Sequence, residues 1–153
     1  MEALDPTDIR LLDALQKDAQ LTTQELGGKL GLSASQTGRR RQRLEAAGYI
    51  RHYMAQLQPA KLGLDVQAFI QVQMASQVPD EARDFLRTVR ARPEVVSAWT
   101  LTGEADYLLR VFTPDLARLN LLIHDVILPM KAVARVQSQI VMDQPKPDTG
   151  LPL

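Results

Sequence analysis

Two reciprocal capping signals set on either side of one glycine constrain this chain more than any other feature. Thr22 with Glu25, and Ser33 with Gln36, have the spacing at which an N-cap hydroxyl and the side chain three residues on satisfy each other's orphan backbone amides. Gly31 lies between them, where a left-handed residue ends a helix at no steric cost. Leu21 and Leu26 staple the first of these helices, and Leu26 and Leu30 make its buried face. The second runs from about Ala34 to Ala47, with Gly48 past its end. Upstream, Asp5 caps a further helix, Pro6 suits its first position and Asp8 its first turn. Ile9, Leu12 and Leu15 recur there at three-residue spacing, with Leu11 beside them. Two short helices joined by a tight glycine turn are the helix-turn-helix signature.

After residue 48 the period changes. Tyr49 to Leu57 alternates weakly and reads as a strand leading away from the helices, and Gln58-Pro59-Ala60-Lys61-Leu62-Gly63 reads as a linker. Val66, Ala68, Ile70, Val72 and Met74 alternate with Gln67, Phe69, Gln71 and Gln73, a strand with one apolar face. Pro79-Asp80 opens a helix that buries Ala82, Phe85, Leu86 and Val89. Val95 to Thr102 and Tyr107 to Phe112 are two strands around a turn. Thr113 caps, and Pro114 opens, a helix with Leu116, Leu119, Ile123 and Val126 inside, and Val133 to Met142 is the last strand. The fold class is therefore α+β: an N-terminal helix-turn-helix domain followed by a ferredoxin-like βαββαβ domain. The expected boundaries are 1–57, a linker over 58–65, the βαββαβ domain over 66–143, and a loose tail over 144–153 containing Pro145, Pro147 and Pro152. Helices cover one face of such a sheet, so a second subunit is a natural cover for the other.

The absence of cysteine excludes disulfide scaffolds, thiolate zinc sites and cysteine nucleophiles, and fits a reducing compartment. No apolar run approaches the ~20 residues that span a bilayer, and Met1-Glu2-Ala3-Leu4-Asp5 does not read as a secretory leader, so no membrane partner and a cytoplasmic location are expected. His52 and His124 stand apart from any acid–nucleophile grouping, and neither metal-ligand spacing nor a phosphate loop is visible; no enzyme, metal or cofactor is expected.

Formal net charge is zero, yet Arg39, Arg40, Arg41, Arg43 and Arg51 crowd one stretch whose single acid is Glu45. A local basic patch on a neutral chain points to one nucleic-acid face. At 100° per residue, Thr37, Arg41 and Leu44 share one side of the third helix, and Ser35, Gly38, Arg39, Gln42, Arg43 and Ala46 the other. Leu44 must pack inward, so the second set faces out. It contains guanidinium and amide groups, which pair with guanine and adenine edges, and no acid. Gly38 would let the backbone approach DNA. Arg39 and Gln42 are expected to read bases, Arg40 and Arg43 to hold phosphates, and Ser33, Ser35, Gln36 and Thr37 to lie at the helix N-terminus where amides favour phosphate. The partner is then double-stranded DNA at a near-palindromic operator, read by two such helices about one duplex turn apart. Arg41 points partly inward and must snorkel or pair with an acid. The plainer reading of the arginines is a solvated basic face.

Thr102-Gly103-Glu104-Ala105-Asp106 reads either as an ordinary turn, which spacing alone favours, or as a ligand loop whose amides and carboxylates hold the charged ends of an amino acid. Here the chain resembles the Lrp/AsnC ("feast/famine") regulators, through Leu4-Asp5-Pro6-Thr7-Asp8-Ile9-Arg10-Leu11-Leu12, through Leu32-Ser33 leading to Arg43-Leu44-Glu45-Ala46-Ala47-Gly48-Tyr49-Ile50, and through Thr102-Gly103-Glu104-Ala105-Asp106-Tyr107-Leu108-Leu109. Ser138, in the last strand, stands where the family usually has threonine or serine. Gly38 and Arg41 depart from its commonly apolar residues, and Lys131-Ala132 from its Pro-Gly. The resemblance implies that the helix-turn-helix domain is winged-helix-like, and it implies a sequence-specific DNA-binding transcriptional regulator, dimers that often assemble into octamers, and an amino-acid effector bound between dimers. The effector residues it implies are Thr102, Gly103, Glu104, Ala105, Asp106, Tyr107 and Ser138. The competing reading within the same resemblance is an architectural, global DNA binder without effector response.

Overall fold

In the computed structural model, residues 4–75 and 78–153 are described. They form two compact units, residues 1–56 with 146–153, and residues 57–145.

The first unit is built on three helices, α1 (Pro6–Lys17), α2 (Thr23–Leu30) and α3 (Ala34–Ala46). All three start with complete capping boxes: Asp5 with Asp8, Thr22 with Glu25, and Ser33 with Gln36. Gly31, at φ 71°, turns α2 toward α3. Leu11, Leu15, Leu26, Leu30 and Leu44 form the core. The buried stripe of α1 is therefore Asp8–Leu11–Leu15, and Ile9, expected within it, is exposed. Counting apolar residues misses this face because its first member is a carboxylate. Residues 50–58 form neither helix nor strand, where a strand was expected. An alternating segment becomes a strand only beside another strand that takes up its amides and carbonyls, and none is paired with it here. The tail, expected to be loose, is pinned at Leu151: Gln16 donates through Nε2 to its carbonyl and accepts its amide through Oε1, both at 2.8 Å.

The second unit opens with a 3₁₀ turn over Pro59–Leu62. Its strands are β1 (Val66–Met74), β2 (Val95–Thr100), β3 (Tyr107–Thr113) and β4 (Val133–Ile140), in the order β2-β3-β1-β4, with every neighbouring pair antiparallel. α4 (Pro79–Arg90) crosses from β1 to β2, and α5 (Leu116–Leu121) leads from β3 toward β4. This is the expected βαββαβ arrangement. Ala68, Ile70 and Val72 of β1, with Leu109 and Val111 of β3, pack against Phe85 and Val89 of α4 and Leu119, Leu122 and Ile127 beyond.

Two details near α5 differ from expectation. Thr113 ends β3 with its side chain buried, and Asp115 is the cap, its carboxylate accepting the Arg118 amide at 2.7 Å. The Thr113 hydroxyl is turned inward and donates to the Asp115 carbonyl at 3.0 Å, so the carboxylate two residues on is left to cap the helix. Leu116 is consequently exposed. Past Leu121 the helix widens into a π segment, Leu122–Ile127, where the Leu128 amide reaches back five residues to Ile123. The wider turn moves the inner stripe onto Leu119, Leu122 and Ile127, leaving Ile123 and Val126 half-buried. Among the described residues no helix is long and apolar enough to cross a membrane.

Candidate DNA interface and effector loop

The capping box of α3 consumes two of the expected contacts. The Ser33 hydroxyl accepts the Gln36 amide at 3.2 Å and donates to Gln36 Oε1 at 3.1 Å, which also accepts the Ser33 amide. Thr37 is a correction: it is fully buried, and its hydroxyl donates to the Ser33 carbonyl at 2.9 Å. It packs α3 against α2, and has no access to a phosphate. Gly38 also faces α2, since a Cβ there would stand 3.6 Å from the Thr23 methyl. Ser35, Arg39 and Gln42 are exposed as expected.

The arginines divide otherwise than expected at Arg40 and Arg43, and as expected at Arg41. Arg40 donates through one nitrogen to Asp5 (2.6 Å) and Asp8 (2.7 Å), and Arg43 donates to the other oxygen of Asp8. The Asp8 side chain is only 1% exposed. Burial pushes its carboxyl pKa up, but the hydrogen bonds from Arg40 and Arg43 prevail and hold it below the usual carboxylate range. Arg40 likewise holds Asp5 below that range, helped by the Asp8 amide. Arg41 does what its inward direction required: it pairs with Glu45 (3.1 Å), bonds the Tyr53 hydroxyl (3.1 Å), reaches the Leu21 carbonyl and lies 4.9 Å from the Tyr53 ring centroid. Among the described residues Arg39 and Arg51 alone of the five have no hydrogen bond or ion pair. Asp5, Asp8 and Tyr53 were not singled out as partners; the signal available was that Asp8 stands three residues before Leu11 and seven before Leu15, on the face of α1 that turns inward.

In the second unit, Gly103 adopts φ 116°, a conformation open to glycine and strained for other residues. Asp106 is the latch of this loop. Its amide donates to the Val72 carbonyl (3.0 Å), its carbonyl accepts from Leu101 (2.8 Å) and its carboxylate accepts the Met74 amide (2.7 Å). Glu104 is exposed, with Oε1 3.6 Å from Arg135. Glu104 and Ala105 border a shallow recess of about 40 Å³, with Gln71, Gln73, Arg135 and Gln137. Those four were missed, although the first two are the polar positions of an alternating strand and so had to lie on the face away from the core.

Two expected members are elsewhere. Tyr107 pairs with Val72 in register, and its ring lies 5.0 Å from that of Phe85, which puts it on the helix-covered side. Ser138 pairs with Ile70 on that same side, although it is exposed at the sheet edge, whereas Gln137 pairs with Gln71 on the open face. Side chains alternate across a strand, so Ser138 and the recess lie on opposite faces. Thr102 is an exposed loop residue outside the recess lining.

The sequence profile of the AsnC-type helix-turn-helix domain matches residues 4–45, and that of the Lrp/AsnC ligand binding domain matches residues 67–151. The glutamate uptake regulatory protein of Zymomonas mobilis is 36% identical over 150 residues, 98% of this chain and 91% of that protein. The Bkd operon transcriptional regulator of Pseudomonas aeruginosa is 34% identical, covering 93% of each chain. Among solved structures, a transcriptional regulator from Neisseria meningitidis in complex with L-methionine superposes with a TM-score of 0.94 at 41% identity, covering 98% of this chain and 97% of that one.

Proposed function

The chain belongs to the Lrp/AsnC family of DNA-binding transcriptional regulators, which are not enzymes, and from that premise we propose how its two units divide the work. α3 enters the major groove with Arg39 and Gln42 toward the base edges and Ser35 toward the backbone. The observation that carries this reading is the side of α3 bearing Ser35, Arg39 and Gln42: exposed, without an acid, and with Arg39 uncommitted. Arg43, whose side chain is 42% exposed, borders that face.

The second unit binds an amino acid beside Gly103 and Glu104, with Arg135 as a cation for the carboxylate and Glu104 as an anion for the ammonium group. The related regulator crystallised with L-methionine supports this ligand class. The recess of about 40 Å³ has room for roughly one water, far below the ~300 Å³ or more of an enclosing ligand site. A second subunit must therefore supply the remaining wall. The open sheet face supports assembly as a homodimer, because Trp99 and Leu108 stand on it beside Phe69 and Phe112; a homo-octamer beyond it is proposed from the family resemblance alone.

The test is a thermal-shift screen of the full chain against the twenty amino acids, followed by sedimentation and DNA binding with any ligand that raises the transition. One amino acid that stabilises the protein and changes its assembly or DNA affinity is the expected result. If none shifts the transition and binding hardly separates an enriched duplex from a scrambled one, the architectural reading replaces this one, and the small size of the recess is the observation in its favour.

A further inference from the structure

We propose that Asp8, assisted by Asp5, is a specificity-determining positioning residue: it clamps Arg40 and Arg43 of α3 to the first turn of α1, which fixes the rotation of α3 and withholds Arg40 from DNA phosphate. The inference rests on the reading that the outward side of α3 meets DNA.

The geometry is that of a rotational lock. Arg40 and Arg43 stand three residues apart on α3 and converge on the two oxygens of one buried carboxylate. A turn of α3 by one residue, 100° about its axis, would break both bonds. Arg41, between them in sequence, is held on another side by the Tyr53 hydroxyl and the Leu21 carbonyl, while Glu45 of α3 itself orients its guanidinium. With α3 gripped from both sides, Arg39 and Gln42 are left pointing outward.

The same contacts decide which arginines can serve phosphates. If Arg40 left for a phosphate, Asp5 would lose its arginine and Asp8 would keep only Arg43 for a carboxylate that is almost wholly buried. Stranding part of a buried charge costs more than an exposed ion pair returns. Arg40, expected from sequence to hold phosphate, is thus scaffold. The capping role of the two acids explains their amide contacts with each other, but not why both also receive guanidinium groups from another helix.

The experiment compares the full chain with Asp8→Asn, Asp5→Asn, Arg40→Gln and Arg39→Ala. Each is titrated over a salt series against a duplex enriched from a random pool by the wild-type protein, and against a scrambled duplex of the same composition. Thermal unfolding checks each variant. Asp8→Asn, which keeps the side-chain shape but frees both arginines, is expected to bind the scrambled duplex more tightly, to steepen the salt slope by about 1–2, and to lower the enriched-to-scrambled ratio about tenfold. Asp5→Asn is expected to act in the same direction but less. Arg40→Gln is expected to lower the ratio with no change in slope, because a scaffold cation releases no counterion. The proposal is overturned if Arg40→Gln reduces the slope by about 1 and weakens both duplexes equally, or if the folded Asp variants keep the wild-type ratio and slope. Arg39→Ala reports separately on the underlying reading. If it binds both duplexes like wild type, α3 is not the reading element and the proposal falls with it. If Asp8→Asn does not fold, Asp5→Asn and Arg40→Gln still decide.

Discussion

Adjacent glycines in α2 are expected to respond to the same substitution with opposite sign. Gly27 and Gly28 both lie mid-helix, where alanine gains about 0.8–1.0 kcal/mol over glycine from propensity alone. At Gly28 a Cβ meets nothing within 4 Å, so Gly28→Ala should keep most of that gain. At Gly27 the same atom would stand 2.6 Å from the Leu32 carbonyl oxygen and 3.2 Å from Thr37 Oγ1. The first is backbone in the turn between α2 and α3, and the second is a buried side chain of α3 whose hydroxyl is already bonded to the Ser33 carbonyl. Neither can swing aside, so the turn must open. Forced overpacking costs ~1–3 kcal/mol, and a 2.6 Å approach to a backbone oxygen belongs in the upper half of that range, ~2–3 kcal/mol, which leaves Gly27→Ala destabilised by about 1–2 kcal/mol after the propensity gain. The two variants should therefore differ by about 2–3 kcal/mol although they add the same methyl group to neighbouring residues. Native-state hydrogen exchange at the Leu11, Leu26 and Leu44 amides reads this in the full chain without requiring both units to unfold together. Protection in Gly27→Ala should fall between about five- and thirtyfold, and in Gly28→Ala rise by about two- to fivefold. Equal protection in the two variants, or higher protection in Gly27→Ala than in wild type, would refute the claim that the helix-turn-helix junction is closed by contact at residue 27.

The acids at the start of α1 set an acid limit for the first unit. Because the folded pKa values of Asp5 and Asp8 are depressed, their stabilising contribution is present above the unfolded value of about 3.9 and is lost as pH falls through the folded values; thermal melts from pH 7 to 3 should be flat above about pH 5, fall below pH 4, and fall less steeply in Asp8→Asn, which starts lower. Gly103→Val places a β-branched residue at φ 116°, at a cost of about 1–3 kcal/mol, and should abolish the thermal shift given by whichever amino acid stabilises wild type; an undiminished shift would separate the loop from the effector site. Gln16→Ala removes both bonds to Leu151, exposed contacts worth about 0.5–1.5 kcal/mol each at most, so residues 146–153 should exchange freely or be trimmed by carboxypeptidase while the transition temperature moves by only a few degrees.

What the sequence revealed depended on whether the signal was local. Helix starts at Pro6, Thr23 and Ala34 follow from capping boxes in which both partners lie three residues apart. The alternation of Val66 to Met74 gives β1 and its buried face directly, because a strand's two faces have period two. Less legible were the surroundings of residues committed by something distant. Thr37 looks like an N-terminal polar group until α2 is packed against it. Asp8 looks like a dipole-favouring acid until Arg40 and Arg43 arrive from 32 and 35 residues away. Tyr107 follows the glycine–acid loop directly and Ser138 lies in the last strand, and strand parity sends both to the face opposite the recess; parity is fixed only once the register of β1 with β3 and β4 is known. The π segment after α5 is invisible to a 3.6-residue count, and it shifts the inner stripe for that reason.

A chain with zero net charge and five arginines between residues 39 and 51 raises the question of where its opposite charges lie. Much of the answer for this stretch is inside the helix-turn-helix unit: Asp5 and Asp8 take Arg40 and Arg43, and Glu45 takes Arg41. The arginine run is then neither a broad phosphate-binding surface nor an idle solvated face. It is largely internal structure that leaves a narrow exposed edge, with Arg39 in front and Arg51 just beyond the helix, and on the proposed reading that edge is what meets DNA. Few phosphate contacts mean weak attraction to arbitrary DNA, since each neutralised phosphate adds counterion release to affinity. A single head of this kind discriminates better than it holds. In the proposed homodimer, joining heads through the second unit would supply the missing affinity as effective concentration, and only where the spacing of sites on the duplex matches the spacing of heads. An amino acid that completes its site between subunits would then alter occupancy by altering assembly, with every contact of α3 left as it was.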